Sequence, residues 1–147
     1  MKEEKKPRAR ITSPREGPKL SVEEEKTGIA YIYSTYNNTI IHITDMSGNT
    51  LAQISGGKIT KYSRLKATPT VAMFAAKRAA EIAKEQGINS LYVRIKSKAG
   101  ATSPGPGAHA AVKSLAKKGL KIINILDSTP IPRGGPKKKG GRRGRRV

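Results

Sequence analysis

The chain contains no cysteine and no tryptophan, and it has few acidic residues. The absence of cysteine excludes disulfides and thiolate metal sites, so cysteine usage says nothing about the redox compartment. No apolar run approaches the roughly 20 residues that a membrane-spanning helix requires. The opening MKEEKKPRAR also lacks the apolar core of a signal peptide. We therefore expect a cytoplasmic protein.

Positive charge is what the chain has in excess. Its 147 residues include 30 lysines and arginines against 10 acidic residues, which gives a formal net charge of +20. Such an excess opposes folding through self-repulsion and is typical of proteins that bind a polyanion, either nucleic acid or an anionic membrane. Because no segment is suited to a membrane, nucleic acid is the expected partner.

The composition divides the chain into three segments, of which only the middle one can build a core. Residues 1–26 mix both charges with three prolines and predict a mobile arm of little net charge. Residues 27–132 form the expected RNA-binding α/β domain. Residues 133–147 contain glycine and basic residues but no acid, which predicts a disordered tail that RNA would order. The basic residues of this tail are Arg133, Lys137, Lys138, Lys139, Arg142, Arg143, Arg145 and Arg146.

Residues 27–132 predict the element order β-β-β-α-β-α-β. The apolar stretch Ile29 to Tyr33 is typical of a central strand covered on both sides. Asn37-Asn38 and residues 45–49 predict the turns of an antiparallel meander, because asparagine tolerates positive φ. Thr68 can cap a helix that begins at Pro69 and closes at Gly87. Helical spacing predicts a core stripe formed by Val71, Phe74, Ala75, Ala79, Ile82 and Ala83.

A fourth strand over 91–96, a helix that ends at Gly119 and a buried fifth strand over 120–126 complete the domain. Right-handed crossovers then place the first, fourth and fifth strands side by side. We expect a mixed five-stranded sheet of order 3-2-1-4-5 with helices on both faces. This is a three-layer α/β/α sandwich of ribonuclease-H-like topology. The turn before the second helix would lie at the carboxyl end of the fourth strand, where open α/β sheets usually hold ligands.

That turn, SPGPG, is a candidate anion site. A glycine-rich turn before a helix presents backbone N–H groups at the positive end of the helix dipole. A plain loop between strand and helix explains the same residues equally well. The candidate residues of the turn and of the polar helix face behind it are Ser103, Gly105, Gly107, His109 and Lys113.

The segment GGKITKYSRLKA, residues 56–67, is a second candidate site. Basic side chains around one aromatic ring fit a groove that holds phosphates and stacks a base. The alternative is a solvated loop whose tyrosine packs onto the core. The candidate RNA-binding residues are Lys58, Lys61, Tyr62, Arg64 and Lys66.

Catalysis is not expected, although a ribonuclease-H-like topology raises the question of RNA cleavage. Such chemistry needs several carboxylates that converge on Mg²⁺. His42 and His109 lack a paired carboxylate or a second ligand at useful spacing, and no serine has a nucleophile-elbow context. We expect no enzymatic activity, no metal site and no cofactor. The acids between residues 27 and 132, none of them in the middle of a strand, are Asp45, Glu81, Glu85 and Asp127.

Several motifs together resemble one family. They are TYNNTIIHITD at residues 35–45 with Gly48-Asn49 behind it, SPGPG at 103–107, DSTPIP at 127–132 and the terminal GGRRGRRV. In these motifs the chain resembles the small-subunit ribosomal protein S11 family, over roughly Gly28 to Val147. The SPGPGA turn and the GGRRGRRV ending are similar to archaeal rather than bacterial members.

The resemblance implies a structural protein on the platform of the small subunit. There it would bind ribosomal RNA near the messenger RNA exit path and touch neighbouring platform proteins, with messenger RNA as a further candidate partner. Asn37, Asn38 and Thr39 would form an RNA-facing hairpin tip, Gly105 to Gly107 a backbone contact to phosphate, and the tail would thread between RNA helices. Arg133 stands where the family usually has histidine. The alternative is a DNA-compacting chromosomal protein, since so basic a chain would also bind duplex DNA.

Overall fold

The computed structural model describes residues 26–99 and 103–134. Within these ranges no helix is long and apolar enough to cross a membrane. A single turn of 3-10 helix, Ser63–Leu65, lies between α1 and α2. The strands and helices are β1 (Lys26–Ser34), β2 (Thr39–Asp45), β3 (Thr50–Ser55), α1 (Gly56–Ile59), α2 (Pro69–Glu85), β4 (Ile88–Lys96), α3 (Gly107–Lys117) and β5 (Lys121–Asp127).

The five strands form one mixed sheet in the order β3-β2-β1-β4-β5. β2 is antiparallel to both β1 and β3, whereas β4 is parallel to β1 and β5 is parallel to β4. The predicted sheet and its strand order are therefore confirmed. The short α1 is an addition that the sequence did not predict.

The two long helices lie on the same face of this sheet. They contact each other directly, since the Ser114 hydroxyl on α3 donates to the Met73 carbonyl oxygen on α2 at 3.1 Å. Both crossovers proceed across the sheet in the same direction, and right-handed crossovers of one direction place their helices on one face. The expectation of helices on both faces is wrong for the described residues, which form two layers and leave the other side of the sheet open.

The core between helices and sheet is built from branched strand residues and helix alanines. Ile32, Ile41 and Ile43 have no exposed surface, and the alanines of α2 let the helix approach them closely. Phe74 was expected in this core, but half of its surface is exposed (51%). It projects from the side of α2 opposite the alanines, where the Lys77 ammonium lies 5.4 Å from its ring centroid.

Two strands are less covered than their apolar sequences predict. β1 is central, yet Tyr31 and Tyr33 point to the open side of the sheet and are exposed. β5 was expected to be buried, but it is the edge strand, and the helices pack against the strands from β1 to β4 instead. Ile123, Ile125 and Leu126 are consequently exposed.

The helix ends follow the sequence signals only in part. Pro69 occupies the first turn of α2, and Gly87 follows its end with φ +84°, a conformation that favours glycine. Thr68 is the N-cap residue as expected, but its side chain does not cap the helix. Its hydroxyl instead donates to the Leu65 carbonyl oxygen at 2.7 Å, which closes the preceding turn.

Candidate nucleic-acid interface

Four of the five strands run in the same direction, so the segments that follow them meet at one edge of the sheet. These strands are β1, β3, β4 and β5. We call this edge the carboxyl-end surface, and it comprises residues 35–38, 56–66, 96–98, 103–109 and 128–133. The described members of the sequence-predicted site thus lie at one end of the molecule, with Lys113 one helical turn further along α3.

The hairpin tip, residues 35–38, is held by its own polar side chains. The Thr35 hydroxyl accepts a hydrogen bond from the Asn38 N–H at 3.1 Å, and the Asn38 side-chain oxygen accepts one from the Thr39 N–H at 2.9 Å. Only glycines have positive φ among the described residues, so a positive φ is not the reason for asparagine here. Tyr36 and Asn37 are exposed, Asn38 is half-buried and Thr39 is buried. Of the predicted trio, Asn37 is the side chain best placed to meet RNA.

The basic loop docks against this hairpin and exposes its cations. A Cβ built on Gly56 would contact the Lys66 carbonyl oxygen and lie 2.8 Å from the Asn38 side-chain oxygen, so the two segments touch. The Lys58 ammonium donates to the Gln53 carbonyl oxygen at 2.7 Å and remains exposed. Tyr62 is 67% exposed, which contradicts the alternative that its ring packs onto the core. The predicted loop residues that are exposed are Lys58, Lys61, Tyr62 and Arg64.

The glycines of the SPGPG turn are explained by packing inside the protein. The Gly105 N–H donates to the Ser34 carbonyl oxygen at 3.3 Å, and a Cβ on Gly105 would lie 2.6 Å from the Thr35 carbonyl oxygen. A Cβ on Gly107 would meet the Thr39 hydroxyl and lie 2.9 Å from the Ala72 Cβ. The contacts with Thr39 and Ala72 therefore account for the missing side chain at Gly107, and a close approach of RNA is not needed to explain it. A contact between phosphate and the backbone of this turn stays a prediction.

Helix α3 begins at this turn and carries two of the predicted side chains outward. Its first turn contains no acidic residue and has no side-chain cap. His109 and Lys113 are both exposed, and their spacing of four residues places them on the same side of the helix. Ser103 and Arg133 are exposed as well. The basic residues from Lys137 to Arg146 lie outside the described residues.

The segment after β5 is fixed to the end of β4. The Ser128 N–H donates to the Ile95 carbonyl oxygen at 2.8 Å, and the Thr129 hydroxyl oxygen accepts from the Ser97 N–H at 3.1 Å. The Thr129 hydroxyl also donates to the Asp127 carboxylate at 2.7 Å. This bond, together with one from the Thr129 N–H, holds the pKa of Asp127 below its ordinary value. The acid at this end of the sheet is thus engaged by its own turn.

The charges of the described residues are distributed unequally between the two ends. Asp45 ends β2 at the opposite edge, and Glu81 and Glu85 lie in the half of α2 that approaches that edge. Glu81 forms a 2.7 Å ion pair with Lys118, which lowers its pKa. Asp127 alone among the described acids lies at the carboxyl end. The basic residues at that end are Lys58, Lys61, Arg64, Lys66, Lys96, Lys98 and Arg133.

The described side chains offer no constellation for metal chemistry. Within residues 26–99 and 103–134, no three histidine, aspartate or glutamate side chains come close enough to hold an ion. His42 contacts the Thr50 hydroxyl at 2.9 Å instead of a carboxylate. The carboxyl-end surface is instead suited to attracting anions.

Together these features define a basic α/β protein with one cationic end. The family model of ribosomal protein S11 matches residues 28–143. Since this match covers most of the chain, the chain belongs to the ribosomal protein S11 family. It is therefore a structural protein of the small ribosomal subunit, from a family that is not enzymatic and that binds small-subunit ribosomal RNA and ribosomal proteins. The likeness to archaeal members stays a prediction.

Sequence reasoning missed one group of exposed side chains. Tyr31, Tyr33, Tyr92 and Arg94 lie on the open side of the sheet, away from the helices. The signal was present, because each of these residues alternates with a buried one along its strand. On β1 it was misinterpreted, because Tyr31 and Tyr33 were counted as apolar and the strand was expected to be covered on both sides.

Proposed function

We propose that this protein binds and organises the ribosomal RNA of the small-subunit platform, near the path by which messenger RNA leaves. The observation that carries this proposal is that the predicted RNA-binding segments converge on one end of the domain. That end is rich in cations, and three of the four described acids lie away from it. Membership of the ribosomal protein S11 family supports the ribosome, in the cytoplasm, as its place of action. The DNA-compacting alternative has no comparable support.

The mechanism is charge neutralisation combined with recognition of RNA shape. Lys58, Lys61 and Arg64 extend from one loop and meet phosphates, which releases counterions from the RNA. Tyr62 beside them stacks on an unpaired base, and Asn37 contacts the RNA from the neighbouring hairpin tip. The tail, residues 133–147, adds phosphate contacts to those of the folded domain. No covalent chemistry is required, so the protein acts without catalysis.

Binding to platform RNA through one end of the domain leaves room for further partners. A protein that binds platform RNA with one end exposes its remaining surfaces to the neighbouring platform proteins and to messenger RNA at the exit path. We assign RNA contacts to the domain and the tail.

The test compares two triple variants that remove the same charge from different places. Lys58, Lys61 and Arg64 are changed to alanine in the first variant. Arg78, Lys84 and Lys117, exposed on α2 and α3, are changed in the matched control. Affinity for small-subunit ribosomal RNA is then measured over a salt series. Each lost phosphate contact makes the plot of log affinity against log salt concentration less steep by roughly 0.7–0.9 units of slope. The slope of the first variant is therefore expected to fall by about two units, and that of the control by far less. Equal losses in both variants would mean that only net charge matters, and the proposed surface would be wrong.

A further inference from the structure

The open side of the sheet carries aromatic rings and cations next to one another. We call it the open face and define it by Tyr31, Tyr33, His42, Tyr92, Arg94 and Lys96. Three of the five tyrosines of the chain are here, and each has 37–39% of its surface exposed. A sheet face that the described residues leave uncovered, with rings on its central strands, requires an explanation, because a packed third layer would have buried them.

Strand register makes these side chains one continuous surface. Tyr31 lies opposite Arg94 on β4 and opposite His42 on β2. The Arg94 guanidinium carbon is 5.8 Å from the Tyr31 ring centroid, and the His42 ring centroid is 6.0 Å from the same ring. Tyr33 is paired with Lys96 in the next outward-facing row of the sheet. Residues two apart on a strand are separated by about 6.6 Å, so the rings stand side by side at a regular spacing.

Charge favours an anionic occupant for this face. Arg94 and Lys96 are exposed here. Among the described acids none lies on the open face, because Asp45 and Asp127 are paired with Gly28 and Ile95, which belong to the helix-facing rows of the sheet. Glu81 and Glu85 are on α2, on the other side of the sheet. Exposed rings interleaved with cations and free of carboxylates are the features with which proteins hold single-stranded nucleic acid.

The face also adjoins the carboxyl-end surface. Tyr33 is the second-last residue of β1 and is separated from residues 35–38 by Ser34 alone. Lys96, the last residue of β4, belongs to both surfaces. An RNA strand that leaves the carboxyl-end surface can therefore continue onto the open face without a gap. The two surfaces differ in chemistry, because the first offers mainly cations and the second offers rings.

We propose that the open face is a stacking platform for unpaired RNA, on which bases lie against Tyr31, Tyr33 and Tyr92 while Arg94 and Lys96 meet the phosphates. The proposal rests on the proposed function, since it divides RNA binding between two surfaces. The carboxyl-end surface holds folded RNA, and the open face holds an adjacent single strand.

The test uses ring removal with a matched ring-retaining control. Tyr31, Tyr33 and Tyr92 are changed together to leucine in one variant and to phenylalanine in the other. Binding of a short, dye-labelled oligouridylate to the full chain is followed by the anisotropy of the dye, which reports affinity in every variant. Tyrosine emission is recorded in parallel, since the chain has no tryptophan. The wild-type emission is expected to be quenched on binding. The leucine variant is expected to lose affinity by about tenfold or more, and the phenylalanine variant to bind within about twofold of wild type.

Each further outcome decides the proposal. If the leucine variant does not fold, the single changes Tyr31→Leu and Tyr92→Leu are each expected to lower the affinity, and unchanged affinity in both would overturn it. Quenching that survives in the folded leucine variant but disappears in Tyr62→Leu would place stacking on the loop and overturn it too. A leucine variant that keeps its RNA affinity but fails to enter small subunits would assign the open face to a protein neighbour instead. The alanine variant at Lys58, Lys61 and Arg64 separates the two proposals. If it still loses ribosomal RNA affinity while the leucine variant loses none, only the stacking platform is wrong.

Discussion

Substitution of Gly107 by alanine is expected to destabilise the folded domain without any RNA present. The added Cβ would meet the Thr39 hydroxyl on β2 and would lie 2.9 Å from the Ala72 Cβ on α2. Both neighbours are buried and neither is the end of a flexible side chain, so α3 itself would have to move. Extra methyl groups in a packed core typically cost about 1–3 kcal/mol. We expect Gly107→Ala to lower the free energy of unfolding by an amount in this range.

Urea denaturation of the free protein measures this change, with Gly57→Ala as the matched control. Gly57 is exposed in α1, and its added Cβ would meet only ordinary contacts, the nearest at 3.8 Å. Alanine is also the better helix former, so this control is expected to be neutral or slightly stabilising. The Thr39→Ala background removes the hydroxyl, and there Gly107→Ala is expected to cost about 1 kcal/mol less. A Gly107→Ala variant with unchanged stability but weaker RNA binding would refute the packing argument and would indicate instead that RNA approaches this glycine closely.

Three further expectations concern the tail, the hairpin tip and acid stability. Truncation after Pro132 should reduce the log–log salt slope of RNA binding by about 3–6 units while the melting temperature of the free protein changes little; an unchanged slope would mean that the tail makes no phosphate contact. Asn38→Ala should destabilise the free protein by about 1 kcal/mol, because the Asn38 side-chain oxygen accepts a hydrogen bond from a backbone N–H. Asn37→Ala should lower only the affinity for RNA. The reverse pattern in thermal melts and binding assays would contradict these roles for the two asparagines. Hydrogen bonds from Thr129 lower the pKa of Asp127, so the stability that they contribute is complete above the pKa of the unfolded chain and is lost as the pH falls through the lower pKa of the folded protein. The free energy of unfolding, measured over acidic pH, should therefore fall less in Asp127→Asn than in the wild type. An identical fall in both proteins would exclude this carboxylate as a source of the acid sensitivity.

The strand order could be predicted from the sequence because it depends on few choices. Two tight turns, one at Asn37-Asn38, determine the meander, and the handedness of crossovers determines where β4 and β5 pair. The same rule also predicts both helices on one face once the two crossovers are seen to run in the same direction. The expectation of a third layer came from the apolar residues of β1, where Tyr31 and Tyr33 were counted as core.

Burial within elements was harder to predict, for physical reasons that the residues make clear. On α2 the six buried alanines form the core face. Because alanine is only weakly hydrophobic, the larger Phe74 was placed in the predicted core stripe although it lies on the opposite side of the helix. On β5 the isoleucines read as buried although the strand lies at the edge. The candidate site residues were predicted largely from charge and turn chemistry, which the local sequence does contain. The role of Gly107 could not be found in this way, since it depends on Thr39 and Ala72, which are distant in the chain.

The central claim is that RNA meets the carboxyl-end surface. Crosslinking of the full chain within assembled small subunits, followed by identification of the crosslinked peptides, tests it most directly. We predict crosslinks from ribosomal RNA to residues 35–38, 56–66 and 103–113. Crosslinks confined to the opposite edge, at residues 45–49, 84–87 and 117–121, would contradict the account.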